Sequence, residues 1–174
     1  MDERVDTAKA AVWCLVAALA LSLHVVLTAA IAGPQLYGVL SVLGFGLLLP
    51  PNATLFLRFR ALNPHAGILT AMAGTATAIV GMSALAFDDL EPGALFFLGL
   101  WWWVVGKFSA ESRSLPRWFG FVTMALAILA FAAMVGDVLG ARAAWTAARL
   151  ALAAWLVALA AILYRTVSRG SDAR

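Results

Sequence analysis

Apolar residues fill this sequence in long blocks that are separated by short polar stretches. Each block holds roughly 20 residues, which is the length that an α-helix needs to cross the hydrocarbon core of a bilayer. Strands are not expected, because blocks such as Met124–Met134 show no two-residue alternation and an open sheet cannot satisfy its backbone groups in lipid. The pattern predicts an all-α fold, a polytopic transmembrane bundle of six helices in a single domain over residues 1–174. The predicted helices cover about 10–31, 36–57, 66–87, 92–108, 118–138 and 143–164.

The first block also has to be compared with a secretory signal peptide, since Ala30-Ile31-Ala32 resembles a small-residue cleavage site. Its apolar stretch is longer than the usual 7–15 residues of a signal peptide, and the leader Met1–Lys9 carries acidic as well as basic residues. We therefore interpret the block as a retained helix. Cleavage would leave five helices and the same orientation.

Composition agrees with a protein that lies largely in lipid. Apolar residues make up 64% of the chain and charged residues 12%, and the mean hydropathy is +0.94, far from the values of a soluble domain. The formal charge of +3 comes from basic residues scattered at block ends, which argues against nucleic acid as a partner. The one cysteine, Cys14, excludes an intrachain disulfide and a CxxC site. Ten arginines against two lysines, with many alanines, suggest a bacterial source.

The positions of the basic residues predict the orientation of the bundle, because lysine and arginine accumulate in cytoplasmic loops. The loops on the opposite side carry mainly acids, namely Asp88, Asp89, Glu91 and Asp137, with Arg142 as their basic residue. We expect both termini in the cytoplasm of a bacterium, and the chain as a multi-pass protein of its cytoplasmic membrane. The basic residues on the predicted cytoplasmic side are Arg4, Lys9, Arg58, Arg60, Lys107, Arg113, Arg117, Arg165, Arg169 and Arg174.

Local signals mark several helix ends. Asn63 precedes Pro64 and is expected to cap the third helix, and Ser114 with Pro116 offers a similar start to the fifth. The acids before the fourth helix are interpreted as side chains that favour the positive end of its dipole. A divalent-cation site at these acids is the alternative.

Aromatic residues have two predicted roles. Trp13, Trp118 and Trp145 lie near predicted helix ends, where an interfacial aromatic belt is expected. The consecutive residues Trp101–Trp103 point in three directions on a helix, so one or two of them at most can face the interior.

Two features predict how the helices pack. Small residues recur along one face of the third helix and allow close approach of its neighbours; they are Thr70, Gly74, Thr77 and Gly81. Pro50 and Pro51 remove two backbone donors and are expected to kink the second helix. Such a break lines a cavity in some transporters, and it is elsewhere an ordinary kink.

Two ionisable residues fall at membrane depth, where they are costly. His24 and Arg149 are predicted at similar distances from the outer ends of the first and sixth helices. With Thr28, Thr146 and Asp137 they form a candidate ligand-binding pocket in the outer half of the membrane. A guanidinium with a neutral imidazole and hydroxyls suits an anionic amphiphile, whose apolar tail the bundle would receive. In the alternative, Arg149 extends to the surface or pairs with Asp137, and His24 bonds within the core.

No motif for catalysis is found. The sequence has no GxSxG, HExxH, P-loop or dinucleotide fingerprint, and two histidines with one cysteine cannot form an ordinary zinc site. His24 and His65 are predicted near opposite faces of the membrane, so they are not expected to share a haem. We expect no cofactor, no metal and no catalytic residue.

One stretch carries a resemblance. Leu98–Trp103, Lys107, Arg113 and Leu115–Gly120 resemble the Trp-rich helix, basic loop and Leu-Pro-Arg-Trp-x-Gly helix start of uncharacterised six-helix bacterial membrane families. The match covers about a quarter of the chain and implies fold and compartment, but no activity. The run is also similar to the Insig sterol sensors, but Val104–Gly106 replace the aspartate and basic turn expected there, and we do not adopt that relation.

The sequence therefore favours a non-enzymatic membrane protein that binds lipid or a small apolar ligand in a sensory or regulatory role. A small oligomeric transporter or channel subunit is the alternative. The expected partners are membrane lipid and an apolar or anionic amphiphilic ligand, and a homo-oligomer is kept open.

Overall fold

The computed structural model describes residues 3–30, 34–84, 87–112, 114–140 and 143–169, and these residues are almost entirely helical. A single 3-10 turn, Asp88–Leu90, leads into α5. No strand occurs in the described ranges, which confirms the all-α prediction. The helices are α1 (Glu3–Ala30), α2 (Pro34–Gly46), α3 (Leu49–Leu62), α4 (Pro64–Ser83), α5 (Glu91–Ser112), α6 (Arg117–Val138) and α7 (Ala143–Arg169).

Six helical stretches are long and apolar enough to cross a membrane, as the sequence predicts. The second stretch continues to Leu62, past its predicted end near residue 57. A helix can keep its backbone hydrogen bonds beyond the point where the apolar run ends. The third begins at Pro64 and ends earlier than expected, at Ser83. The stretches are Asp6–Thr28, Val39–Leu62, Pro64–Ser83, Glu91–Ser112, Arg117–Val138 and Ala143–Thr166.

The second of these stretches is interrupted between α2 and α3, at Leu47 and Leu48. Pro50 and Pro51 follow the interruption. Because proline has no backbone N–H and its ring crowds the preceding turn, neither residue can donate to the carbonyl four residues earlier. The Leu48 N–H instead donates to the carbonyl of Phe45, at 3.1 Å, in a tighter turn. The interruption therefore precedes the two prolines that the sequence singled out.

The turn from α3 to α4 is made by one residue, Asn63. Its Oδ1 accepts hydrogen bonds from the backbone N–H groups of His65 (3.0 Å) and Ala66 (3.5 Å), which confirms the predicted cap. The similar start expected for α6 is wrong. Pro116 occupies the position before that helix, without a side-chain cap, and Ser114 bonds to Ser112 instead.

The small-residue face of α4 packs closely against the interrupted stretch. A side chain at Gly74 would overlap the amide of Asn52, and one at Gly81 would overlap the ring of Phe45. The Asn52 amide donates to the Ala71 carbonyl at 3.2 Å, and its buried Oδ1 accepts no hydrogen bond from the described residues. The four predicted small positions are all buried, namely Thr70, Gly74, Thr77 and Gly81.

The remaining helices pair in two groups. α1 lies along α7 and α2, and α5 lies along α6 and α4. α5 and α6 approach each other closely, since Gly106 and Gly120 leave no room for a side chain between the two backbones. α6 packs much less extensively against α7 than against α5, and a groove lies between α6 and α7.

Charge differs between the two ends of the described bundle, although Asp6 and Glu111 lie among the basic residues of one end. At one end, called the acidic end below, Asp89 and Glu91 lie at the start of α5 and Asp137 lies in the last turn of α6. The other end is called the basic end and carries Lys9, Arg58, Arg60, Arg117 and Arg165. The positive-inside rule then predicts that the basic end faces the cytoplasm. Some residues on which the predicted orientation and the signal-peptide comparison depend lie outside the described residues. They are Arg113, Arg142, Arg174 and the Ile31-Ala32 pair.

The consecutive tryptophans of α5 divide as their helical spacing predicts. Trp101 and Trp102 are buried and Trp103 is 42% exposed. Trp101 and Phe119 both pack on Trp155, with ring centroids 5.2 and 5.6 Å away. These rings form the aromatic core between α5, α6 and α7.

Candidate functional site

A polar pocket opens at the acidic end of the bundle, where the start of α5, the end of α6 and the start of α7 meet. Its volume is about 560 Å³. Gly140, in the turn after α6, forms part of the wall with a φ of +93°, a conformation that glycine adopts without strain. The pocket is lined by Asp89, Glu91, Pro92, Asp137, Gly140, Trp145, Thr146 and Arg149. We call it the acidic-end pocket.

Arg149 forms the floor of this pocket. It lies six residues into α7, roughly 9 Å from the helix start at 1.5 Å per residue, and is only 8% exposed. One terminal nitrogen donates to Thr146 Oγ1 at 3.4 Å. The Nε atom is buried and donates to no described residue. A buried guanidinium with unused donors is costly by itself. Nε has no accessible surface, so the donors available to a ligand in the pocket are the terminal N–H groups that Thr146 does not engage.

Trp145 supports the guanidinium from below. The Arg149 guanidinium carbon lies 5.4 Å from the centre of the Trp145 ring, and that ring stacks on Phe45 at 5.7 Å with an angle of 5° between planes. Trp145 is 3% exposed. Its predicted place in an interfacial belt is therefore wrong, because tertiary packing turns this face of α7 toward α2.

The acids add negative charge around the guanidinium. Glu91 contributes a favourable coulombic interaction with Arg149, while Asp89 and Asp137 lie on the wall of the same pocket. Among the described residues, the wall thus holds three carboxylates and one guanidinium, a formal excess of two negative charges. The sequence predicted that Asp137 lies near Arg149. Asp89 and Glu91 were predicted only to favour the start of a helix.

The predicted alternative of a divalent-cation site concerns the same acids. Across the described ranges, no three histidine, cysteine, aspartate or glutamate side chains are arranged to hold a metal ion. The side chain of Asp88, part of the divalent-cation alternative, lies outside what the structure describes.

Three of the five predicted ligand-binding residues lie on the pocket wall, namely Asp137, Thr146 and Arg149. His24 and Thr28 do not line it. His24 is buried on α1 at 6% exposure, and Thr28 is exposed and donates to the His24 carbonyl oxygen at 2.7 Å. That bond is the usual one between a helical threonine and its own helix, so Thr28 is committed to α1.

An apolar groove lies between α6 and α7 beside the pocket, with a volume of about 280 Å³. Its α6 wall consists of Leu126, Leu129, Ala130 and Ala133, and alanines of α7 form the other side. The groove is lined by Trp102, Leu126, Leu129, Ala130, Ala133, Ala144, Ala147, Ala148 and Ala151. Alanine on both helices is what keeps this space open, because larger side chains would fill it.

A second polar cavity, of about 570 Å³, lies at the basic end. Asp6, Thr7, Thr54 and Arg58 contribute to its wall. One terminal nitrogen of Arg58 donates to the Ser114 carbonyl at 3.5 Å and ties α3 to the α5–α6 connection. Cavities with charged side chains in their walls therefore occur at both ends of the described bundle.

No family model, curated protein or solved structure matches this chain. The function of the site therefore has to be inferred from its geometry. The resemblance of the Trp-rich helix to six-helix bacterial families stays a prediction.

Proposed function

We propose that this protein binds a membrane lipid, with the headgroup in the acidic-end pocket and an acyl chain in the groove between α6 and α7. In this proposal it is a non-enzymatic sensory or regulatory protein of a bacterial cytoplasmic membrane. Both termini face the cytoplasm, and the pocket opens to the outer leaflet.

The observation that carries the proposal is the buried guanidinium of Arg149 on the pocket wall, whose hydrogen bonding is incomplete. An arginine in a membrane helix is costly, and the Trp145 ring, the Thr146 hydroxyl and the charge of Glu91 offset part of that cost. A phosphate or ester oxygen in the pocket would accept from the terminal N–H groups that Thr146 does not engage. A bound lipid would thus add to the interactions that compensate this arginine.

The groove and the pocket follow one another along a single face of α6. Leu126, Ala130 and Ala133 line the groove and Asp137 lines the pocket, at spacings of four, three and four residues that keep them on one side of a helix. The stripe is roughly 16 Å long at 1.5 Å per residue. A headgroup beside Asp137 would therefore continue into the groove as a chain without crossing the helix.

The composition of the walls supports binding over catalysis. The groove offers apolar side chains, and no histidine or cysteine occurs among the described residues of the pocket wall. Among the described residues no carboxylate or imidazole accepts a hydrogen bond from the Thr146 hydroxyl, so the bonded nucleophile and base of covalent catalysis are not present on this wall.

Lipid retention tests the proposal. We would extract the protein into nanodiscs, purify it and identify co-retained lipid by native mass spectrometry. Ala133→Phe fills the groove and is expected to remove most bound lipid, whereas Ala132→Phe, at an exposed position on the same helix, is expected to retain it. Arg149→Leu should also lose lipid. Equal lipid occupancy in the wild type and both Ala133→Phe and Arg149→Leu would refute the proposal.

A transporter or channel subunit is the second candidate, and the interrupted second stretch favours it. The break at Leu47 and Leu48, with the unpartnered Oδ1 of Asn52 close by, lies between the polar cavities of the two ends, and broken helices surround the substrate in several transporters. Ion flux into proteoliposomes that is lost in Asn52→Leu but kept in Thr54→Val would support this candidate. Absence of flux for both ions and organic cations would rule against it.

A further inference from the structure

The acidic-end pocket presents both signs of charge to one ligand. Resting on the lipid-binding function proposed above, we infer that the ligand's polar part is a zwitterion that joins a phosphate to a primary ammonium group. A lipid with a phosphoethanolamine headgroup has this chemistry, and so does the free phosphoethanolamine zwitterion.

The phosphate is assigned to the floor of the pocket. Arg149 offers there the terminal N–H groups that Thr146 does not engage, and Thr146 offers a hydroxyl at its side. Guanidinium groups pair with phosphate through parallel, charge-assisted hydrogen bonds. The floor is nine-tenths buried at Arg149, so such bonds would be little screened by water.

The ammonium is assigned to the wall. Asp89 and Asp137 come from different helices and line the same cavity. A primary ammonium has three N–H donors and needs several acceptors, which carboxylates on two sides of a cavity supply. Because Glu91 already offsets the charge of Arg149, these two aspartates account for the negative excess of the pocket.

The same charges disfavour the other common headgroups. A purely anionic headgroup, which the sequence predicted, would satisfy Arg149 but place its charge beside the aspartates without a cation between them. A quaternary choline has no N–H donors and is usually held by aromatic faces. Here the face of Trp145 is covered by the Arg149 guanidinium, so that interaction is taken.

Competition between headgroups tests the inference. The protein would be reconstituted in nanodiscs with equal amounts of phosphatidylethanolamine, phosphatidylcholine and phosphatidylglycerol of identical chains, and the retained lipid would be quantified by mass spectrometry. We expect phosphatidylethanolamine to be enriched about tenfold over the other two, the ratio that one charge-assisted hydrogen bond provides. The double variant Asp89→Asn, Asp137→Asn should abolish the enrichment, and Asp6→Asn in the basic-end cavity should keep it.

The outcomes separate this inference from the proposed function. If Ala133→Phe removes lipid but the three headgroups are retained equally, lipid binding stands and the zwitterion inference fails. If neither Ala133→Phe nor Arg149→Leu changes the lipid occupancy, the lipid-binding proposal fails. Calorimetry with soluble phosphoethanolamine distinguishes the two sources: binding as tight as that of the lipid, lost in the double aspartate variant, would support the zwitterion chemistry and overturn a lipid as its source.

Discussion

The guanidinium carbon of Arg149 lies 5.4 Å from the centre of the Trp145 ring, one helical turn away on α7. Phe45 of α2 stacks on the same ring. The stack therefore joins two helices and places the guanidinium in the pocket. A buried charged side chain is held here by an aromatic platform.

Loss of that platform should destabilise the bundle. Trp145→Ala is expected to lower the free energy of unfolding by about 3 kcal/mol, because it leaves a cavity beside Phe45 and removes a cation–π contact. Unfolding in mixed micelles with rising dodecyl sulfate measures the change. Trp103→Ala is the matched control, since Trp103 is 42% exposed on α5, and its expected loss is below about 1 kcal/mol. Equal losses in the two variants would contradict the stacked arrangement.

The contact between Gly74 and Asn52 should show as coupled mutations. Gly74→Ala places a methyl group against the Asn52 amide and is expected to cost about 1–3 kcal/mol. Gly93→Ala should be nearly neutral, because the nearest atom to its new Cβ is Val80 Cγ1 at 3.6 Å. In an Asn52→Ala background the cost of Gly74→Ala should fall by at least half, as a double-mutant cycle measures. An unchanged cost would show that the two residues do not meet.

The hydrogen bond between α6 and α7 in the aromatic core is a third target. The Trp155 indole N–H donates to Thr123 Oγ1 at 2.9 Å, and both residues are buried. Thr123→Val should cost about 1 kcal/mol of unfolding free energy. Thr77→Val is the control, because the Thr77 hydroxyl donates within its own helix, to the Ala73 carbonyl. Strictly additive effects of Thr123→Val and Trp155→Phe would argue against the bond.

Membrane orientation is testable with single cysteines. Leu62→Cys lies at the basic end and Leu139→Cys at the acidic end, and both positions are exposed. Since basic residues stay in the cytoplasm, a membrane-impermeant maleimide should label Leu139→Cys in intact spheroplasts and Leu62→Cys only after lysis. The native Cys14 is buried and should remain unlabelled. Labelling of both variants from one side would refute the six-span topology.

Several features of the fold were readable in the sequence because they depend on neighbouring residues alone. The Asn63-Pro64 pair caps α4 as expected, and the spacing of Trp101, Trp102 and Trp103 separated buried from exposed indoles. Helical spacing and capping are local, so no knowledge of the other helices was needed.

The candidate site was only partly readable. The link between Asp137, Thr146 and Arg149 followed from their nearness in the chain and at predicted depth. Trp145 was assigned to the interface, although its four-residue spacing from Arg149 is a signal that points to contact on one helix face. His24 lies at a similar predicted depth, but it is not among the residues of the pocket wall.

By itself the sequence determined that six helices are apolar enough for a membrane and that charge differs between the ends of the bundle, because hydropathy and charge are summed along the chain. Only the tertiary structure decided that Asp89 and Glu91 share a pocket with Arg149, and that alanines of α6 and α7 leave a groove between those helices. The physical reason is that a helix can rotate about its axis, and can pack against different helices, with little change in its own hydrogen bonds. The packing of small residues against large ones fixes the rotation and the neighbours of each helix. Packing depends on pairs of helices and cannot be read from one helix alone.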